Sequence, residues 1–300
     1  MKTKHKKSVR RRTAPPRRGL FIAAAATAIL LAGCSVGSDI AEDIGEGIGE
    51  AIGCIFLNCK DSADLRLEDI SARHRISQSG NTVTIQAQLS QSANAATVVR
   101  PSGGDRLSAS FGGQLIELRD SSDGRRERYG ASFIHAGEQP SVSVVFHRGA
   151  DSHVSSAAPP RPFVVLAPVG PVTQTRNGTG VTVVLGLPAS VQPRNLLTGR
   201  CERVDGSRFE AETQLPAHLL SAAADRQTYQ VDPAVLDIKL NERSIAANNG
   251  VVTTPLVRRC ELTVTWAHEV RGQTSTTMNH HGRITGAYEV MHRLNYEAQV

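Results

Sequence analysis

From residue 64 onward, apolar and polar residues alternate with a period of two, broken at short intervals by turn-forming clusters. Val83, Ile85, Ala87 and Leu89 alternate with Thr82, Thr84, Gln86 and Gln88, the pattern of a strand with one buried face. The alternation recurs in Leu107-Ser-Ala-Ser-Phe111, in 115–118, in 129–134 and in Val142-Ser-Val-Val-Phe146. Ser79-Gly80-Asn81, Ser102-Gly103-Gly104, Gly112-Gly113, 121–124 and Ala136-Gly137 separate these runs. Short strands divided by turns predict antiparallel sandwiches, and Gly112-Gly113 predicts a tight hairpin. Three prolines in Ala157-Ala-Pro-Pro-Arg-Pro162 end the first unit near residue 160.

The second unit opens with Pro171-Val-Thr-Gln-Thr175, a predicted hairpin turn at Arg176-Asn177-Gly178-Thr179-Gly180 and a strand over 181–187. Cys260, Leu262, Val264 and Trp266 share one strand face, and Ile284, Tyr288, Val290, Leu294 and Tyr296 keep one register in a long final strand. The stretch 215–249 has no clear period; 216–225 predicts one or two helical turns, and Asp232-Pro233 and Asn248-Asn249-Gly250 mark loops. The predicted fold is all-β, with two antiparallel β-sandwich domains at 61–160 and 161–300.

The N-terminal sixty residues follow other patterns. Asp39-Ile-Ala-Glu-Asp-Ile-Gly-Glu-Gly-Ile-Gly-Glu-Ala-Ile-Gly53 repeats every four residues. On a helix, Ile40, Ile44, Ile48 and Ile52 form a stripe beside Gly45, Gly49 and Gly53, with Glu42, Glu46 and Glu50 nearly opposite. The repeat resembles a glycine zipper, which implies self-association or contact with protein partners through Ile44, Gly45, Ile48, Gly49, Ile52 and Gly53. Each glycine costs a helix about 1 kcal/mol relative to alanine, so the alternative is an acidic flexible tether. Upstream, Lys2, Lys4, Lys6, Lys7, Arg10, Arg11, Arg12, Arg17 and Arg18 precede the apolar run 20–32. That order, and a run well short of the roughly 20 residues of a spanning helix, predict an export signal.

Leu31-Ala32-Gly33-Cys34 at the end of this run resembles the bacterial lipobox. The resemblance implies that 1–33 is a cleaved signal peptide and that Cys34 carries the lipid. It also implies a membrane partner reached through that lipid and 34–60 as a stalk. Ser35 after the cysteine implies sorting to the outer membrane.

Charge changes meaning once the signal is set aside. The chain has 34 basic and 28 acidic residues, a formal +6, but the nine basic residues named above all lie in the signal. The remainder carries about −3, and the composition no longer argues for nucleic acid. Four cysteines remain beside Cys34, and an even number in an exported chain predicts disulfides. Of the three pairings, proximity within the predicted units selects Cys54–Cys59 and Cys201–Cys260.

Candidate chemistry is sparse. GxSxG, HExxH, CxxC, Walker-type and dinucleotide glycine patterns do not occur. Asn279-His280-His281 with His292 is one histidine cluster, though adjacent strand residues point to opposite faces. Arg125-Arg126-Glu127-Arg128 and Arg258-Arg259 read as solvated loop and strand-edge charge. Trp266, Tyr229, Tyr288 and Tyr296 are the aromatics that could stack a sugar, but Trp266 shares a face with Cys260 and Val264 and is expected in the core. The two-unit layout resembles tandem immunoglobulin-like or fibronectin-III-like modules of bacterial surface lipoproteins. Trp266 follows Cys260 instead of lying between paired cysteines, which departs from the antibody type. The expected function is non-catalytic, binding or structural, without cofactor or metal. The alternative is an accessory subunit of an envelope assembly or secretion machine that touches partners through 39–53.

Overall fold

The alternating runs do form strands, and the longest of them organises the rest. The computed structural model describes residues 58–92 and 94–298. Cys34, Cys54, the signal segment and the 39–53 repeat lie outside the described residues. In chain order the strands are β1 (Cys59–Asp61), β2 (Ile70–Ser79), β3 (Thr82–Gln91), β4 (Asn94–Arg100), β5 (Arg106–Phe111) and β6 (Gln114–Glu117). Next come β7 (Arg119–Asp120), β8 (Tyr129–Ile134), β9 (Val142–Arg148), β10 (Asp151–Ala157), β11 (Val165–Ala167), β12 (Val172–Thr175) and β13 (Thr182–Leu185). The chain then forms β14 (Arg194–Arg203), β15 (Arg208–Thr213), β16 (Ala217–Ala222) and β17 (Gln227–Val231). The helix α1 (Pro233–Ala246) precedes β18 (Val257–Arg271) and β19 (Arg283–Glu297).

Eleven strands form one sheet in the order β1-β4-β3-β2-β19-β18-β14-β15, with β8 and β12 on the edges of β3 and β19 and β7 beside β8. Two four-stranded sheets, β10-β9-β5-β6 and β11-β13-β17-β16, complete the fold. Along one edge of β19, β2 pairs in parallel at 283–288 and β12 in parallel at 294–297. β1 is also parallel to β4. These three pairings depart from the purely antiparallel expectation.

The even-numbered residues of β19 face the covered side of the long sheet. Ile284 packs with Ile70, Ile76, Val83 and Ile85 against Leu107, Val144 and Phe146 of the first small sheet. Leu294 and Tyr296 pack with Leu262, Val264 and Trp266 against Val183, Leu185 and Leu236 of the second small sheet and α1. Two cores therefore sit side by side on one face of a continuous sheet. The proline segment near residue 160 divides the cores but not the sheet, and all described residues belong to one compact unit. Where this connector crosses the long sheet, an added Cβ at Gly286 would sit 2.0 Å from the Ala158 carbonyl oxygen, and one at Gly272 2.2 Å from that of Ser156.

Local chemistry explains where expectation and structure meet. Phe111 pairs with Gln114 across Gly112 and Gly113, whose φ of 56° and 81° suit a primed two-residue turn. The Asn177-Gly178 turn joins strands of different sheets, since β12 pairs β19 while β13 pairs β11 and β17. The 216–225 stretch contains the edge strand β16 instead of helical turns, and the helix lies beyond it. Asp232 caps α1 by accepting from Ala234 N at 2.9 Å and Val235 N at 3.1 Å, with Pro233 opening the first turn. Leu236, Leu240 and Ser244, four apart, are its buried stripe.

Candidate anion-binding face

Odd-numbered residues of β2 and β19 point away from both cores, toward the face of the long sheet that the described residues leave uncovered. Register places Arg73 of β2 directly beside Arg283 of β19 on one side and Gln88 of β3 on the other. The next row holds Arg75 beside Thr285 and Gln86. Arg128, the residue before β8, joins them in the wall of a cleft of about 480 Å³ that His281 also lines. Among the described residues, no carboxylate lines this cleft.

Several contacts hold its walls. Arg73 donates from Nε to Ser90 Oγ at 3.1 Å, and Arg283 from Nε to Thr285 Oγ1 at 3.1 Å. Arg75 is the neutralised member: it donates to Glu269 Oε1 and, at 2.7 Å, to Glu289 Oε1. Burial opposes its charge, yet the bonds to these two carboxylates raise its pKa overall. Glu269 also lies 3.4 Å from Arg194 and 3.9 Å from Arg283. Asn279 pins the β18–β19 turn to the start of β2 by donating to Glu68 O at 2.8 Å, and its Oδ1 accepts from His281 N at 2.9 Å. Asp120 accepts from Ser122 N at 2.8 Å and Arg126 N at 2.9 Å, which orders the loop leading to Arg128. His74, between the two arginines of β2, faces inward; complete burial lowers its pKa to about 4, so it is neutral.

A second cleft on the same face, about 320 Å³, is lined by Arg200, Arg208 and Arg259 and also by Glu202, Glu261 and Glu297. Glu202 lies 2.9 Å from Arg259 and 3.7 Å from both Arg208 and Arg258. The hydrogen bond from Arg259 holds its carboxyl below the usual range. Cys201 and Cys260 also border this cleft. They are register partners on β14 and β18, joined by a disulfide with a Cα separation of 4.1 Å, and both sulfurs are buried.

Cys59 begins β1, half-buried, and its expected partner Cys54 is outside the described residues. His280 and His281 lie in an exposed turn with their rings tilted by 41° and centroids 4.0 Å apart. His292 is buried on the covered face of β19, so the three form no common site. Among the described residues no group of three His, Cys, Asp or Glu side chains is arranged to hold a metal ion. Arg258 and Arg259 are not edge charges, because β18 lies between β14 and β19. Within the 125–128 run Glu127 is buried, 5 % exposed, and only Arg128 reaches the cleft. Trp266 and Tyr296 are fully buried, and Tyr229 packs on Trp266 at 4.9 Å, so these aromatics belong to the core and not to a sugar platform.

One pairing had no signal in the sequence. Ser108 Oγ lies 2.7 Å from His147 Nε2, and His147 Nδ1 lies 3.1 Å from Ser152 Oγ. The imidazole is thus held by a hydroxyl where a hydrolytic triad would use a carboxylate. Ser108 is 4 % exposed and lines neither cleft. No protein-family model matches the chain, and no curated protein is significantly similar to it.

Proposed function

We propose that the protein is a lipid-anchored, non-catalytic component of the bacterial envelope that works by binding, with the uncovered face of its long sheet as the binding surface. The anchorage rests on Leu31-Ala32-Gly33-Cys34 at the end of the export signal. The binding role rests on one observation, the cleft of Arg73, Arg75, Arg128 and Arg283 without a lining carboxylate. Arg73, Arg128 and Arg283 are exposed, and a rigid sheet that keeps like charges side by side is suited to an anion from outside the chain.

The test uses the full chain in native membranes. Crosslinking from the cleft should capture a partner or ligand in the parent and lose it in the double variant Arg73→Gln/Arg283→Gln. Cys34→Ser should stop fatty-acid labelling and release the protein from the membrane fraction. An unchanged crosslinking pattern in the double variant removes the cleft from the reading. Fatty-acid labelling that survives Cys34→Ser removes the anchor.

A further inference from the structure

We infer that Arg73 and Arg283 form a seat for a phosphate group carried by a larger ligand. This inference rests on the binding role proposed for the face and names its ligand class.

Two like charges face each other across neighbouring strands. Directly opposed residues on neighbouring strands interact, and like charges there are destabilising. Arg73 and Arg283 are such a pair, and among the described residues neither makes a hydrogen bond to a carboxylate. Arg75, one row away, is closed off by Glu269 and Glu289. Among the described residues, the carboxylate within ion-pair distance of Arg283 is Glu269, at 3.9 Å, and it already holds Arg75 and Arg194.

The two guanidinium groups are also oriented. Each is tethered through Nε to a hydroxyl of the same face, Ser90 for Arg73 and Thr285 for Arg283. Tethering at Nε leaves the terminal nitrogens of both guanidinium groups able to donate, and both side chains line the cleft. One carboxylate, with two oxygens, matches one guanidinium fork; a phosphate, with at least three acceptor oxygens, accepts from two forks at once. Gln88, in the same row, adds an amide donor and Arg128 a further charge. The 480 Å³ of the cleft exceeds what one phosphate fills, leaving room for the group that bears it. The source of that phosphate is either a lipid headgroup or a soluble phosphate ester.

The experiment follows thermal unfolding of the full-length protein in detergent micelles, titrated with inorganic phosphate against chloride at matched ionic strength. Phosphate should raise the unfolding midpoint saturably, and chloride should not. Arg283→Gln and Arg73→Gln should each raise the half-saturating concentration about ten-fold or more. The same variants should raise the midpoint without phosphate, because each removes a like-charge neighbour; a purely structural arginine would lower it. Doping the micelles with phosphatidic acid, compared with glycerol phosphate in solution, separates the two sources: far tighter binding to the doped micelles assigns a headgroup, and equal binding a soluble ester. A response to polygalacturonate but not to phosphate overturns the phosphate assignment and leaves the anion-binding reading standing. Binding of a short single-stranded oligonucleotide with no response to either phosphate probe overturns it in favour of nucleic acid. No response to any anion removes both.

Discussion

The two arginine-lined clefts share one sheet face, yet they are built to opposite ends. Around Glu202, three arginines share one carboxylate, and Glu261 and Glu297 balance the rest of the wall. Around Arg73 and Arg283 the wall is cationic, and the nearby carboxylates are drawn toward Arg75. The neutral cleft is also crossed by a covalent link, whereas the cationic one is held by hydroxyl and amide tethers. Arginine used to knit strands together brings its own carboxylate. Arginine displayed without one, at a stability cost that register makes unavoidable, marks the surface on which binding is expected.

The difference can be probed from the largest expected effect to the smallest. Replacing both Cys201 and Cys260 by serine removes a link spanning 59 residues, worth about 4 kcal/mol by loop entropy. Urea unfolding should show that loss, while the phosphate response of the distant cationic cleft at low temperature stays unchanged.

The second effect belongs to the cationic cleft alone, which has a buried histidine beneath it. His74 is neutral in the fold with a pKa near 4, below its ordinary 6.5. Above pH 6.5 it is neutral in both states and contributes no pH dependence. Between pH 6.5 and 4 only the unfolded chain takes up the proton, so stability falls with acidification, by about 3 kcal/mol. His147, His153, His268 and His292 are lowered in the same direction, mainly by burial. His74→Leu should therefore remove about that share of the acid loss in unfolding curves recorded across the window, and leave the remainder.

The smallest effects compare one carboxylate from each region. Glu269, 12 % exposed in its side chain, holds Arg75 and lies near Arg194 and Arg283. Glu269→Gln should cost about 2 kcal/mol, between the ranges for exposed and buried pairs, and lower the half-saturating phosphate concentration several-fold. Glu202→Gln, among arginines that remain largely solvated, should lower the unfolding midpoint only slightly and leave the phosphate response within error of the parent.

Legibility in the sequence followed the range of the interactions. The faces of β18 and β19 were readable because period-two alternation is a local property, and Cys260, Leu262, Val264 and Trp266 are all buried as expected. The Gly112-Gly113 hairpin was readable because its two residues contain the whole turn. The helix was missed because Asp232-Pro233 reads equally as a loop and as a cap with a first-turn proline. β2 was missed because His74 stands at an inward position among Ile70, Ala72 and Ile76, where an apolar residue would have completed the pattern. The cationic cleft draws on β2, β3, β19 and the loop before β8, and no local pattern encodes which remote strands become neighbours. Even so, arginines at 73 and 75 on a half-buried strand were a signal that a search for catalytic motifs passes over.

The parallel pairing of β19 with β2 also has a bearing on the order in which the chain can fold. Arg73 to Ile76 meet residues 283–286, and Ile284 completes a core otherwise built from residues 65–157 and Met278. During synthesis, the strands of that first core emerge long before the strand that closes them, with one edge of β2 unpaired and apolar surface exposed. Contacts this remote in sequence slow folding and prolong exposure to misassociation. The N-terminal half is thus expected to wait, held unfolded or loosely collapsed, until the last fifteen or so residues (about one strand) arrive to pair with it. A truncation that removes β19 would then unfold the half of the molecule lying farthest from it in sequence.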